Sequence, residues 1–209
     1  MDGNSLPYWN HNTAYYEWIR KQIGNCQAIL DVGCGDGTLI RFLSDKAEVL
    51  VGVDVDEDCI TVARNNTPHK ECQFICTSFS SYQTDMKFDA VIFAASLHHM
   101  EMRSSLKKAV SLLKENGRII IVGLADPFSL RDHIIEGLRV IPSLISSRLH
   151  HMKTAEELNI PTSYALPDMQ HVRNVIRQTL PGAKLRLGLH YRYLVSWQRK
   201  GAAHETADD

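Results

Sequence analysis

Hydrophobic positions along this 209-residue chain fall into five short continuous runs: AILDV at 28–32, EVLVGVD at 48–54, CQFIC at 72–76, FDAVIFAA at 88–95 and RIIIVGLA at 118–125. Continuous rather than alternating apolar character predicts strands covered on both faces, as in a parallel sheet flanked by helices. The segments between them read as amphipathic helices. DEDCITVARNN opens with Asp56 as N-cap and has acidic residues in its first turn, where the helix dipole favours negative charge. MRSSLKKAVSLLKENG places Leu106, Ala109, Val110 and Leu113 on one stripe and predicts a helix ending at Gly117 as its C′ residue. The order β-α-β-α-β-β-α-β is that of an α/β, Rossmann-like, doubly wound open sheet with right-handed crossovers and ligands at the carboxyl ends of its strands.

Beyond the fifth strand the pattern changes. Residues 126–167 contain Pro127, Pro142, Pro161 and Pro167, one helical stretch (SLRDHIIEGLRVI) and a segment without periodicity, which together predict a helical lid or substrate insertion. A helix is expected from Asp168 to Leu180, followed by two strands in AKLRLGLHYRYLVSWQRK joined near Gly188 or His190. The expected organisation is one domain over 1–200, with 1–25 as a helical cap and 201–209 as a disordered tail.

Composition adds limits to this picture. With 44% hydrophobic and 22% charged residues and a formal net charge of -1, the chain has no overall attraction for nucleic acid or anionic membranes. No basic-then-apolar leader opens it and no apolar run approaches the ~18 residues of a membrane span, so it reads as soluble and cytoplasmic, with no membrane partner. Cys26, Cys34, Cys59, Cys72 and Cys76 include no CxxC pair, which favours reduced thiols over a disulfide framework or zinc site. Cys72 and Cys76 are expected to pack on one face of their strand.

Candidate chemistry starts at ILDVGCGDG. Asp31 ends the first strand, and Gly33, Gly35 and Gly37 in the following turn let backbone lie against a ligand with no Cβ between them. The dinucleotide pattern G-x-G-x-x-G would need glycine at 38, where Thr38 stands. A carboxylate at Asp31 would repel phosphate yet favour an ammonium or sulfonium group, and S-adenosylmethionine carries both. Asp54 ends the second strand about twenty residues after the loop, where an acid can accept both ribose hydroxyls. The alternative for both acids is a plain role as helix or turn caps.

LDVGCGDG, VGVDVDEDCI, FDAVIFAASLHHM and LKENGRIIIVG together resemble the successive motifs of class I S-adenosylmethionine-dependent methyltransferases over residues 25–125. The resemblance implies strand order 3-2-1-4-5-7-6 with strand 7 antiparallel, and S-adenosyl-L-methionine as cofactor. It implies that Asp31, Gly33 and Gly35 surround the methionine part, with Asp54 on the ribose and Val55 beside the adenine, and it puts Cys34 and Ala95 among the cofactor-binding residues. The family often has an acid after the third strand to meet the adenine amino group; here CTSFSSY leaves Thr77, Ser78 or Phe79 to serve.

Methyl transfer is an in-line displacement at a carbon already activated by its sulfonium, so the protein aligns the nucleophile and removes its proton, with no metal required. His98 and His99 follow the fourth strand. In similar small-molecule members with an LH at this point, the residue at the position of His98 acts as general base, for which an imidazole is suited. The other reading of the pair is helix capping and packing under the lid. Tyr8, Trp9 and His11, in the aromatic cluster LPYWNHNTAYYEWI, are substrate-side candidates, while packing against the sheet would account for Trp18 and Ile19. Arg173, Arg177, Lys184, Arg186, Arg192, Arg199 and Lys200 lie in a stretch free of acids, either as an anion-binding face or as charges that protect an exposed edge strand. The reading carried forward is O- or N-methylation of a small molecule, nucleic acid being disfavoured. A macromolecular methyltransferase and a non-catalytic cofactor-binding protein are its alternatives.

Overall fold

The computed structural model describes residues 13–67, 71–125, 166–188 and 192–201. Tyr8, Trp9, His11, nearly all of the 126–167 insertion and the tail after Gly201 lie outside the described residues. A 3-10 turn at Thr13–Tyr15 leads into α1 (Tyr16–Ile23), β1 (Ala28–Val32), α2 (Thr38–Phe42), β2 (Val49–Asp54), α3 (Glu57–Asn66) and β3 (Cys72–Cys76). The chain continues with β4 (Phe88–Ala94), a 3-10 turn at Leu97–His99, α4 (Met102–Leu112), β5 (Leu113–Leu124), α5 (Met169–Thr179), β6 (Lys184–Leu187) and β7 (Arg192–Gln198).

These strands form one sheet in the order β3-β2-β1-β4-β5-β7-β6. β1 to β5 are parallel, and β7 runs antiparallel to both β5 and β6, as the motif order implied. Because successive side chains of a strand point to opposite faces, each continuous apolar run feeds two cores. Leu30, Val51, Phe93, Ile121 and Tyr193 pack with α4 and α5 on one face. Ile29, Leu50, Ile92 and Ile120 pack with α1, α2 and α3 on the other, where Ile19 is fully buried and Trp18 partly so. Each fully buried aliphatic side chain contributes roughly 1.5–3 kcal/mol, so the central strands anchor everything mounted on their ends.

Helix starts follow the sequence. Asp56 accepts from Cys59 N at 3.0 Å and Asp168 from His171 N at 2.8 Å, each satisfying a donor of the first turn. The end of α4 differs from expectation. The helix stops at Leu112, because buried Leu113 takes extended backbone and pairs with Phe88 on β4. The register then skips to Ala90 opposite Arg118, so Lys114 to Gly117 bulge outward. The left-handed residue of this bulge is Asn116, with φ of 61°, while Gly117 serves close approach, since a Cβ there would lie 3.0 Å from the carbonyl oxygens of Lys114 and Phe88. All five cysteines are free, but only Cys72 packs as expected, and Cys76 is exposed at the end of the edge strand.

Candidate active site

Backbone hydrogen bonds from the β1–α2 loop pin it to the end of β2. Gly33 N and Cys34 N both donate to Val53 O, at 2.8 and 3.2 Å, and Gly35 N donates to Asp54 Oδ2 at 2.8 Å. The loop's glycines serve different ends. Gly33 has φ of 73° and a Cβ there would lie 2.3 Å from Ser96 Cβ, so it lets the β4 loop cross over β1. Gly37 makes room for Phe74, whose ring atoms would lie 2.8 Å from such a Cβ. Gly35, with φ of 52°, has nothing among the described residues within 4 Å of where its Cβ would be, so there it borders open space. Cys34 is buried, and a Cβ on Gly52 would be 2.7 Å from its Sγ, so its thiol faces the core and only its main chain is available to a ligand.

Two carboxylates flank this loop in opposite states. Asp31, paired in mid-sheet with Gly52 and Ile92, is 1% exposed, and its Oδ1 is enclosed with no hydrogen-bond partner. Burial, and secondly the nearby Asp54, push its pKa up to about 8. An enclosed, unsatisfied acid of this kind is costly, and a cation is the natural partner for it. Asp54 is held by the main chain, one oxygen taking Gly35 N and the other Asp56 N at 3.0 Å. Beside it Val55 is 70% exposed, an uncovered apolar surface. Thr77 N donates to Asp54 O at 2.7 Å, which brings the end of β3 against this site. Ser78 Oγ is engaged with the hydroxyls of Ser80 and Ser81, both at 2.9 Å. Phe79 turns its ring into the core, edge-on to Phe93 with centroids 5.7 Å apart, so its side chain does not line the cleft.

Ala95 follows β4 with φ of 59°, a left-handed conformation that costs a non-glycine residue roughly 1–2 kcal/mol. Its N–H donates to Val122 O at 2.7 Å, and buried Ser96 Oγ donates to Val32 O, stitching the β4 loop to both neighbouring strands. Strain held in this way is a usual companion of active sites. The turn that follows presents half-buried His98 and exposed His99, their ring centroids 3.9 Å apart. His98 Nδ1 is enclosed without a hydrogen-bond partner. Burial first, then His99 and Arg192, lower the pKa of His98 to about 4, so the ring is neutral near pH 7.

Arg192, expected with the other basic residues on an anion-binding face or exposed edge, is instead 8% exposed. As the first residue of β7 it pairs with Leu124, and the antiparallel return thus carries it to the carboxyl end of the sheet. Burial lowers its pKa to about 10, and its charge acts on Tyr15 as well as on His98. Arg177, Lys184, Arg186 and Lys200 are exposed, Lys184 and Arg186 on edge strand β6. An open cavity of about 810 Å³ has Arg118, Lys184, Arg199 and Lys200 in its lining. It lies toward the Arg118–Gln198 end of the β5–β7 pairing, Arg118 being about 20 Å from Leu124 at the usual rise per strand residue. Among the described residues no cluster of three or more His, Cys, Asp or Glu side chains could hold a metal ion, and no helix is long and apolar enough to cross a membrane. Ser96 and Arg192 are the site residues that sequence reasoning missed; no local motif marks either.

Residues 29–117 match the family described as a methyltransferase domain. An uncharacterized methyltransferase of Mycobacterium tuberculosis is 29% identical over 195 residues, covering 91% of this chain and 96% of the relative. The plantazolicin methyltransferase BpumL, solved with a pentazolic desmethyl analogue and S-adenosylhomocysteine, superposes with TM-score 0.63 at 19% identity, covering 92% of this chain and 86% of the other. N-methyltransferase NodS from Bradyrhizobium japonicum, solved with S-adenosylhomocysteine, gives 0.62 at 14% identity, covering 92% and 89%. In strand order, family-model match and this relative, the chain is similar to class I S-adenosylmethionine-dependent methyltransferases.

Proposed function

We propose that this enzyme methylates an oxygen or nitrogen atom of a small molecule, with His98 as the base that takes the acceptor's proton. The observation that carries the cofactor side is the enclosed, unpartnered Asp31 carboxyl beside the open space at Gly35. A cationic, nucleoside-bearing ligand fits both features: the acid gains the counter-charge it lacks, and the absence of a Cβ allows close approach. When bound, S-adenosylmethionine supplies a methyl group on a sulfonium, ready for displacement. Asp31 would hold its ammonium group. Asp54, already oriented by Gly35 N and Asp56 N, would accept from the ribose hydroxyls, and exposed Val55 would cover one face of the adenine. Thr77, Ser78 and the main chain of Phe79 would border the adenine edge, while the main chains of Gly33, Cys34, Gly35 and Ala95 would border the methionine part.

On the acceptor side, a proton from a hydroxyl or amine would satisfy the orphaned Nδ1 of His98. His99, exposed and in ring contact with it, is the second candidate for the same proton. Tyr8, Trp9 and His11 remain the substrate-side candidates of the amino-terminal segment. A small acceptor is supported by the solved structures that the chain resembles, one of which holds a pentazolic desmethyl analogue, and by the position of the basic cavity. The lining of that cavity includes neither Asp31 nor His98, which weighs against the macromolecular alternative. The test has two stages. Calorimetry with S-adenosylmethionine should give saturable binding, and a panel of phenols, amines and carboxylic acids should then be assayed for S-adenosylhomocysteine release. Absence of cofactor binding would sink the reading, and binding without turnover on any acceptor would favour a non-catalytic role.

A further inference from the structure

We propose that the basic cavity toward the Arg118–Gln198 end of the β5–β7 pairing is a second ligand site, which takes a small molecule carrying two or more adjacent phosphates. This site is independent of methyl transfer, since its lining includes neither Asp31 nor His98. Its cations come from three neighbouring strands. Arg118 on β5 pairs with Gln198, Lys184 on β6 pairs with Ser196, and Arg199 and Lys200 follow β7, which runs between the other two. All four line one cavity of about 810 Å³, and no Asp or Glu stands in that lining. The volume is within the roughly 300–1,000 Å³ usual for small-molecule sites.

Like charges gathered in one concavity repel. Elsewhere in the protein such cations meet acids: Arg20 pairs with Asp45, Arg41 with Asp36 and Lys114 with Asp89. None of the four cavity cations has an ion pair among the described residues. Two of them are nonetheless held in place. Arg118 Nη1 donates to Gln22 O and Arg199 Nη1 to Leu113 O, so one donor of each guanidinium is fixed on main chain and the rest of the fork is left for a ligand. Protection of an exposed edge strand accounts for Lys184 alone of the four, because Arg118, Arg199 and Lys200 are not on β6.

The number and kind of cations set the ligand. Each phosphate carries roughly −1.5 to −2 charges near pH 7, so two adjacent phosphates match four cations, whereas a single carboxylate leaves most of the positive charge uncompensated. A guanidinium fork takes two phosphate oxygens at once, and the exposed ammonium groups of Lys184 and Lys200 add point charges. Convergence on one cavity favours a small ligand over a nucleic acid strand, whose backbone needs an extended groove. Gly182 has nothing among the described residues within 4 Å of where its Cβ would be, so no side chain narrows the cavity there.

The test uses the full chain and inorganic pyrophosphate as probe. Calorimetry at low salt should show saturable binding that is the same with and without S-adenosylhomocysteine, and about tenfold or more tighter than binding of sulfate. Lys184→Gln and Lys200→Gln remove exposed side chains that make no hydrogen bond or ion pair among the described residues, so neither should disturb folding. Each should weaken pyrophosphate binding about threefold, and the double variant about tenfold. Lys107→Gln, which removes an equal charge from the exposed side of α4, should leave it unchanged. Absence of binding, or an affinity that both cavity lysine substitutions leave unmoved or that Lys107→Gln lowers as much, would overturn the site. Displacement of pyrophosphate by S-adenosylhomocysteine would put the probe in the cofactor cleft and overturn it as well. Sulfate binding as tightly as pyrophosphate would overturn the assignment to adjacent phosphates. A single-stranded RNA that binds more tightly than pyrophosphate, and loses affinity in the same lysine variants, would overturn the small-molecule assignment.

Discussion

The two ends of the candidate site are built in different ways. The cofactor end comes from one βαβ unit: Asp31, Gly33, Gly35 and Asp54 lie within 24 residues, and backbone hydrogen bonds from the loop to Val53 and Asp54 set their geometry. The acceptor end is gathered from far apart. Tyr15 precedes α1, Ser96 and His98 follow β4, and Arg192 opens β7, so its geometry depends on the whole sheet closing in the right order. A locally built half should tolerate little change in its own loop, while a globally built half should tolerate side-chain exchange with loss of chemistry alone.

The sharpest break between the two should come at His98. Its replacement by alanine should lower methyl transfer by about 10² to 10⁴, the usual range for general acid–base catalysis, with cofactor affinity nearly unchanged by calorimetry. Unchanged turnover would remove His98 from the mechanism. Next in size is Gly33→Ala, where a left-handed backbone and the 2.3 Å approach to Ser96 Cβ combine to cost about 3 kcal/mol in chemical denaturation. Gly35→Ala has the same backbone penalty without the clash, so it should cost only about 1 kcal/mol of stability while weakening cofactor binding. Equal stability losses for the two glycines would show that the loop is not divided as described.

Asp31→Asn should weaken S-adenosylmethionine binding by at least about thirtyfold, the effect of removing one partner of a buried charge pair. Its effect on the free protein has the opposite sign. Asp31 has a folded pKa raised to about 8 from the ordinary carboxylate range near 4, so its contribution to stability is present below the unfolded value and is lost as pH rises through the folded one. The Asn variant should lack this decline and melt at a higher temperature than the natural chain above pH 8. A thermal scan at pH 5 and pH 9 checks it, and an identical pH slope in both proteins would refute the buried-acid account. The smallest effect is expected next to the acceptor end. Tyr193 is fully buried over Gly123 and its hydroxyl has no hydrogen-bond partner, so Tyr193→Phe should stabilise the fold by about 0.5–1 kcal/mol.

The sequence by itself determined the sheet and the cofactor end, because both are written in short-range patterns. Continuous apolar runs define strands buried on both sides, Asp56 caps its helix as read, a helix starts at Asp168 as expected, and the glycine spacing marks a loop whose chemistry lies within a few residues. Where local pattern misled, tertiary pairing was the competitor: the amphipathic stripe of α4 runs on to Leu113, yet pairing with Phe88 takes that residue into β5. Only the tertiary structure decided that Cys34 and Phe79 turn their side chains into the core, that Ser96 ties the β4 loop to β1, and that Arg192 is buried at the carboxyl end of β5. The physical reason is the antiparallel return of β7. It brings residues more than ninety positions apart to one edge of the sheet, and no periodicity along the chain records which side chain will be buried when that edge closes.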